Sequence, residues 1–231
     1  MFQKVIFCLL FLFIPLNRAA VNTVANSPFT SSEPVSELAA GELLFEEMEL
    51  GGTVNFIAFR QAVAGYYRIK EKSKPILTLI DFSKPSTEKR FFVFDMEKKK
   101  LLYSSVVAHG RNSGENYATS FSNQYGSYKS SLGFYLTENT YQGGNGYSLI
   151  LNGLEKGIND KAKARSIVVH GAPYANPSVA ASGRLGRSLG CPALPTKLAR
   201  PIINTIKDGS VMFIYANNPH YLAQSNILHK N

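Results

Sequence analysis

The sequence predicts a mostly β fold, a sandwich or a partly open barrel, with two helices ahead of it and one late helix within it. Three observations predict it. From Pro75 onward the chain carries seven short runs rich in β-branched and aromatic residues, with turn residues between them. A helical pattern interrupts those runs once, at residues 196–207, just before an Asp208-Gly209 turn. Ahead of Pro75 the apolar residues recur instead at three- and four-residue spacing.

In chain order, MFQK is followed by the apolar block VIFCLLFLFIPL (residues 5–16) and then by the small residues Ala19, Ala20 and Ala25. That is the layout of a secretory signal peptide within residues 1–25, cleaved between 19 and 25. The block is well short of the roughly 20 residues that a membrane-spanning helix needs. The mature chain is therefore expected to be exported to the periplasm or cell envelope, with no transmembrane segment. Residues 26–35, rich in Ser, Thr and Pro, read as a flexible leader.

Residues 36–72 read as an N-terminal helical extension. Its first helix covers 37–48 and stops at Gly51-Gly52; its second begins after Thr53, the expected N-cap. Phe56, Phe59, Val63 and Tyr66 then form one apolar stripe that would pack on the main domain, residues 73–218. The expected strands of that domain are 76–82, 90–96, 101–109, 132–138, 147–153, 165–171 and 211–216. The lysine run at 98–100 reads as a hairpin turn, and 219–231 as a C-terminal tail.

With 231 residues, 45% of them apolar, the chain can bury a sizeable core. Its formal charge is +9, falling to about +7 once Lys4 and Arg18 leave with the signal peptide. A basic exported protein suits an anionic partner such as a cell-wall polymer or membrane surface. Nucleic acid is not expected as a partner, because the basic residues are scattered and no aromatic-basic binding motif is present.

Loss of Cys8 with the signal peptide leaves Cys191 as the one cysteine of the mature chain. In an oxidising compartment a single cysteine is a reactive thiol or an intermolecular link, or else a buried small hydrophobe. Its surroundings, VVHGAPYANPSVAASGRLGRSLGCPALP, weigh toward chemistry. A thiol near its free pKa of about 8.5 is mostly protonated at neutral pH, so it needs a base or a positive field. His170, at a strand end, can be that base. Gly190 permits a tight turn that exposes the amides of Gly190 and Cys191 to an oxyanion. Arg184 and Arg187 add positive charge that favours a thiolate or holds a substrate carboxylate. Against this, strand-end histidines are often only hydrogen-bonded, and surface arginines only solvated. His109, in AHGRNSG, either lines the cleft or is a satisfied loop histidine. No metal site is expected, since the four histidines show no ligand spacing and no Cys-x-x-Cys exists. A serine triad is not expected either, for want of a Gly-x-Ser-x-Gly turn.

The loop resembles that of the murein L,D-transpeptidase catalytic domain family, the YkuD-like cysteine L,D-transpeptidases. The resemblance lies in His170-Gly171, a spacer, then Ser188-Leu189-Gly190-Cys191, and extends to ILTLIDFSKPSTEKRFFVFDM, VVAHGRNSG, SSLGFYLT and GRLGRSLGCPAL, over residues 36–215. The chain departs from the broader pattern at Leu189, commonly His, and at Ala193, commonly Asn or Arg. The resemblance implies a β-rich catalytic domain, no cofactor, and acyl transfer on peptidoglycan stem peptides. By it, Cys191 is the nucleophile and His170 the general base, oriented by the Gly171 backbone. The amides of Leu189, Gly190 and Cys191 form the oxyanion site, and Arg187 and Ser188 contact substrate with Arg184 behind them. The acceptor would be a stem amine, giving a 3→3 crosslink, or a lysine of a wall-linked lipoprotein; water would make the enzyme an L,D-carboxypeptidase. The alternatives are another cysteine peptidase, sortase-like or papain-like, and a non-catalytic wall-binding module. The first fits less well because His170 precedes the cysteine and Arg200 falls in a helix; the second because both reactive residues are present.

Overall fold

A computed structural model describes residues 37–229. The expected signal peptide and leader lie outside the described residues. The extension forms α1 (Glu37–Glu47) and α2 (Phe56–Arg68), and the main domain opens with β1 (Ile76–Asp81), β2 (Phe91–Asp95) and β3 (Lys100–Ser105). There follow β4 (Gly133–Gly143), β5 (Gly146–Gly153), β6 (Val168–Gly171), β7 (Ala193–Leu194), α3 (Thr196–Ile206), β8 (Val211–Tyr215) and α4 (Pro219–Gln224).

The strands form one sheet in the order β3-β2-β1-β8-β4-β5-β6-β7. β1 runs parallel to β8 and β6 parallel to β7; the other neighbours are antiparallel. Just past β3 the chain pairs with the opposite edge: Ala108 and Ala193 exchange N–H···O bonds of 2.9 and 3.2 Å. The sheet is thus a nearly closed barrel, which leaves little unpaired edge. Closure also draws residues 108–111 against the loop before β7, where Ser188 N–H donates to the His109 carbonyl (2.9 Å) and Arg111 N–H to the Ser188 carbonyl (2.8 Å).

β1, β2 and β8 are buried at every position, which explains their largely apolar sequences. The helical extension covers part of this core. On α2, Phe59, Val63 and Tyr66 are buried, and the Phe59 ring meets Phe94 of β2 edge-on at 5.0 Å. The helix starts two residues later than the sequence suggests: Asn55, not Thr53, caps it, its Oδ1 accepting from the amides of Ile57 (3.0 Å) and Ala58 (3.2 Å).

Two expected strands are shorter than their apolar runs. β3 ends at Ser105 because the next stretch leaves β2, with the Val107 carbonyl taken by the buried Arg90 guanidinium (Nε 3.0 Å, Nη2 2.7 Å). β6 begins at Val168, since Ser166 has φ +56°, outside the extended range. Past residue 218, α4 is fastened to the barrel. Asn218 Oδ1 caps it at the Tyr221 amide (2.9 Å), and the buried Tyr221 hydroxyl and Ser225 Oγ both donate to Glu155.

Candidate active site

β6 and β7 set the spacing of His170 and Cys191. In their parallel pairing His170 stands opposite Ala193. Two residues back along each chain, the Val168 amide faces Cys191 Sγ at 3.5 Å. His170 and Val168 are two apart on one strand, so their side chains share a face. His170 and Cys191 line one cavity of about 360 Å³ together with Asn145, Arg165, Tyr174, Arg187, Ser188 and Leu189.

The imidazole is held in one tautomer. His170 Nδ1 lies 3.1 Å from the Gly171 carbonyl, which can only accept, so Nδ1 carries the proton and Nε2 keeps its lone pair. Nε2 makes no hydrogen bond among the described residues. Gly171 is glycine for a packing reason: a Cβ there would stand 2.9 Å from Ala199 Cβ on α3. A larger residue would push the strand end off the helix and displace the carbonyl that holds the ring.

Ser188 organises the turn that carries the cysteine. Its hydroxyl donates to the Cys191 carbonyl (2.6 Å) and accepts from the Gly190 amide (3.0 Å). Gly190 has φ +127°, and a Cβ there would lie 2.9 Å from Ile167 Cδ1, so backbone angle and space both demand glycine. Of the three amides expected at an oxyanion site, Gly190's is therefore spent on Ser188. Those of Leu189 and Cys191 make no hydrogen bond among the described residues.

Cys191 is buried, and its thiol points to the Ser166 carbonyl (3.6 Å), not to His170. Burial pushes the thiol pKa up, opposed by the Val168 amide and by the Arg165 charge. Burial also pulls the His170 pKa down, against the hydrogen bond to Gly171. Both shifts favour the neutral thiol and the neutral imidazole over an ion pair. A base works only when neutral, so the lowered pKa would keep His170, the base expected from the sequence, available to more acid pH. The acid limb of kcat/KM is expected to fall below the ordinary imidazole value of about 6.5. A pH–rate profile with its acid midpoint above 6.5 would contradict this.

The two arginines of the loop differ. Arg187 lines the cavity, and its Nη1 donates to the carbonyls of Arg111 and Gly114 (both 3.2 Å) and to Glu115 Oε1 (2.6 Å). Arg184 is not among the cavity-lining residues and pairs with the other Glu115 oxygen at 2.9 Å. His109 is likewise not in the cavity wall: it is buried, with Nδ1 accepting from Arg90 Nη2 (2.8 Å) and Nε2 donating to the Gly114 carbonyl (3.2 Å). Burial and the Arg90 charge bring its pKa down to about 4.

Sequence reasoning missed Arg165 and Tyr174. Arg165 reads in the sequence as the polar start of a strand, and Tyr174 sits in a 3-10 turn (Pro173–Ala175) that no pattern announces. The tyrosine-rich stretch 117–147 contributes the β4–β5 hairpin, whose turn residue Asn145 reaches the cavity. No cluster of three or more metal-ligating side chains exists among the described residues, and none of their helices is long and apolar enough to cross a membrane.

Compared with known protein families, residues 51–215 match the L,D-transpeptidase catalytic domain. No curated protein matches. Similar solved structures include an L,D-transpeptidase from Mycobacterium smegmatis (13% identity, 62% of this chain and 59% of that one, TM-score 0.38). Others are an L,D-transpeptidase from Stackebrandtia nassauensis (14%, 79% of each chain, 0.37) and L,D-transpeptidase 3 from Mycobacterium tuberculosis (14%, 61% of each, 0.39). This chain spans about three fifths of the length of the two mycobacterial structures.

Proposed function

Because this chain belongs to the L,D-transpeptidase catalytic domain family, we propose that it is an exported cysteine acyltransferase acting on peptidoglycan stem peptides. The observation that carries the reading is one cavity holding both the Cys191 thiol and a His170 ring whose Nδ1 is fixed by Gly171, leaving Nε2 as a free base.

The chemistry follows from these positions. A turn of the thiol away from Ser166 presents it to Nε2, which takes the proton as Sγ attacks the carbonyl of the third stem residue. The resulting oxyanion is stabilised by the amides of Leu189 and Cys191. The peptide C–N bond breaks, His170 returns its proton to the departing D-alanine amine, and the acyl group remains as a thioester on Cys191. An amine of a second stem then attacks, giving up a proton through His170, and Sγ leaves. The product is a 3→3 crosslink; a lipoprotein lysine would react in the same way. Ser188 acts in this scheme by shaping the turn. Incubation of the mature protein with tetrapeptide muropeptides is expected to yield D-alanine and crosslinked dimer. Intact muropeptides after prolonged incubation would contradict the proposal.

Arg187 is the donor-binding residue of this scheme, with Arg184 behind it, because it lines the cavity and its protein partners are all on Nη1, which leaves Nη2 and Nε for a stem carboxylate. Arg187→Ala is expected to weaken donor binding by about 1.5–3 kcal/mol, the worth of a hydrogen bond to a charged group. Glu115→Gln should act in the opposite direction, lowering the donor KM, since Glu115 competes for the same guanidinium. Equal KM values in wild type and both variants would remove Arg187 from the binding site.

A further inference from the structure

We propose that Arg165 is a positioning residue for Cys191, a fixed positive charge that braces the Gly190-Cys191 turn and favours the thiolate. The residue lines the same cavity as the thiol. Its Nη1 donates to the Ser122 carbonyl (2.7 Å) and Ser131 Oγ (2.6 Å), and its Nη2 to Ser127 Oγ (3.2 Å) and the Lys129 carbonyl (2.6 Å). All four terminal N–H groups of the guanidinium are thus used within the protein. Arg165 therefore has no terminal donor left to clamp a substrate carboxylate, unlike Arg187. What remains to it is its charge and its grip on residues 122–131.

Both reach the cysteine. A Cβ on Gly190 would lie 3.5 Å from Arg165 Nη2 and 3.0 Å from the Lys129 carbonyl, the same carbonyl that Nη2 holds. The next residue, Ser130, donates from Oγ to the Gly190 carbonyl at 3.1 Å. The segment gripped by Arg165 is therefore the bed on which the Gly190 turn rests. Among the other groups lining that cavity, His170 on β6 is pushed toward its neutral form by burial, and Tyr174 from the 3-10 turn has its pKa pushed up to about 12 chiefly by burial. Arg187 is the second cation in the cavity wall, but its charge is paired with Glu115. Arg165 has no carboxylate within ion-pair distance among the described residues, so its field on the thiol is not cancelled. The Arg165 charge opposes the burial that raises the Cys191 pKa.

The test is the pH profile of Cys191 alkylation by iodoacetamide in Arg165→Gln and Arg165→Lys, alongside their melting temperatures. This inference rests on Cys191 being the nucleophile proposed above. Iodoacetamide reads the thiol without any stem peptide, so a failed muropeptide assay and a failed alkylation result stay distinguishable. Arg165→Gln is expected to move the profile about one pH unit to the alkaline side, about a tenfold slower reaction at pH 7. Arg165→Lys, which keeps the charge and loses hydrogen bonds, should melt lower yet keep the wild-type midpoint to within about 0.3 unit. A folded Gln variant with the wild-type profile would overturn the proposal, as would equal alkaline shifts in both variants. If the Gln variant does not fold, the Lys variant decides alone, and a midpoint displaced to alkaline pH in it overturns the proposal.

Discussion

Cys191→Ala is expected to abolish D-alanine release from tetrapeptide stems while leaving the barrel folded. In the proposed scheme Sγ forms and breaks the bond to the acyl group, and no other cysteine is present among the described residues. Removing the nucleophile of a well-characterised serine protease lowers kcat on the order of 10⁶-fold, and a loss of that scale is the expectation here. The structural cost is small. Sγ contributes two weak contacts, to the Val168 amide and the Ser166 carbonyl, and one small buried volume. A cost of about 1 kcal/mol corresponds to a fall of roughly 2–4 °C in Tm for a domain of this size. Steady-state D-alanine release and thermal melting check the two halves. A variant that turns over at the wild-type rate, or one that melts far below it, would make Cys191 a structural residue.

His170→Gln should be nearly as damaging. Removing one positioned general base costs about 10²- to 10⁴-fold. The broader family often places a second histidine beside the cysteine, but this chain has Leu189 there, and leucine cannot move a proton. His109 cannot substitute, because it is buried outside the cavity with both ring nitrogens engaged. The two histidines should therefore separate by kind of effect. His109→Gln is expected to lose stability, by about 1–3 kcal/mol for disturbing the buried Arg90 contact. It should keep most of its activity below the melting transition. His170→Gln is expected to melt near wild type and to lose activity. D-alanine release and melting curves on both variants check this, and a His109 variant as inactive as the His170 variant at a temperature where it is folded would mean that the base was misassigned.

The mostly β fold was legible where one rule sufficed. Residues 211–216 are a continuous apolar run, and 76–82 are apolar except at Thr78 and Asp81; such runs are what a strand buried on both faces requires. β7 was not legible, because two residues, Ala193 and Leu194, carry no periodicity; they become a strand only by pairing with β6 and Ala108. The same holds for the end of β3, which depends on where Arg90 finds its carbonyl. The cap of α2 was displaced by two residues because Thr53 and Asn55 are both good caps, and only packing chooses between them.

At the candidate site, the pair His170 and Cys191 stood out through residue type, isolation and resemblance to a family. The finer arrangement did not. Ser188, expected as a substrate contact, lines the cavity, and its hydroxyl also spans the turn between Gly190 and Cys191, which no sequence pattern announces. Arg187, expected to contact substrate with Arg184 behind it, lines the cavity, while Arg184 pairs with Glu115 and is not among the cavity-lining residues. Arg165 lies twenty-six residues before the cysteine, and a parallel strand pairing, invisible in a linear reading, brings it to the thiol's cavity.

The most direct test of the account is intact-protein mass spectrometry after rapid mixing of the mature protein with a tetrapeptide muropeptide and acid quenching. The account predicts a covalent adduct heavier by the acyl part of the donor without its terminal D-alanine. Peptide mapping should place the adduct on Cys191, and an added acceptor amine should discharge it. Turnover with no adduct while substrate is saturating, or an adduct that persists in Cys191→Ala, would contradict a Cys191 thioester.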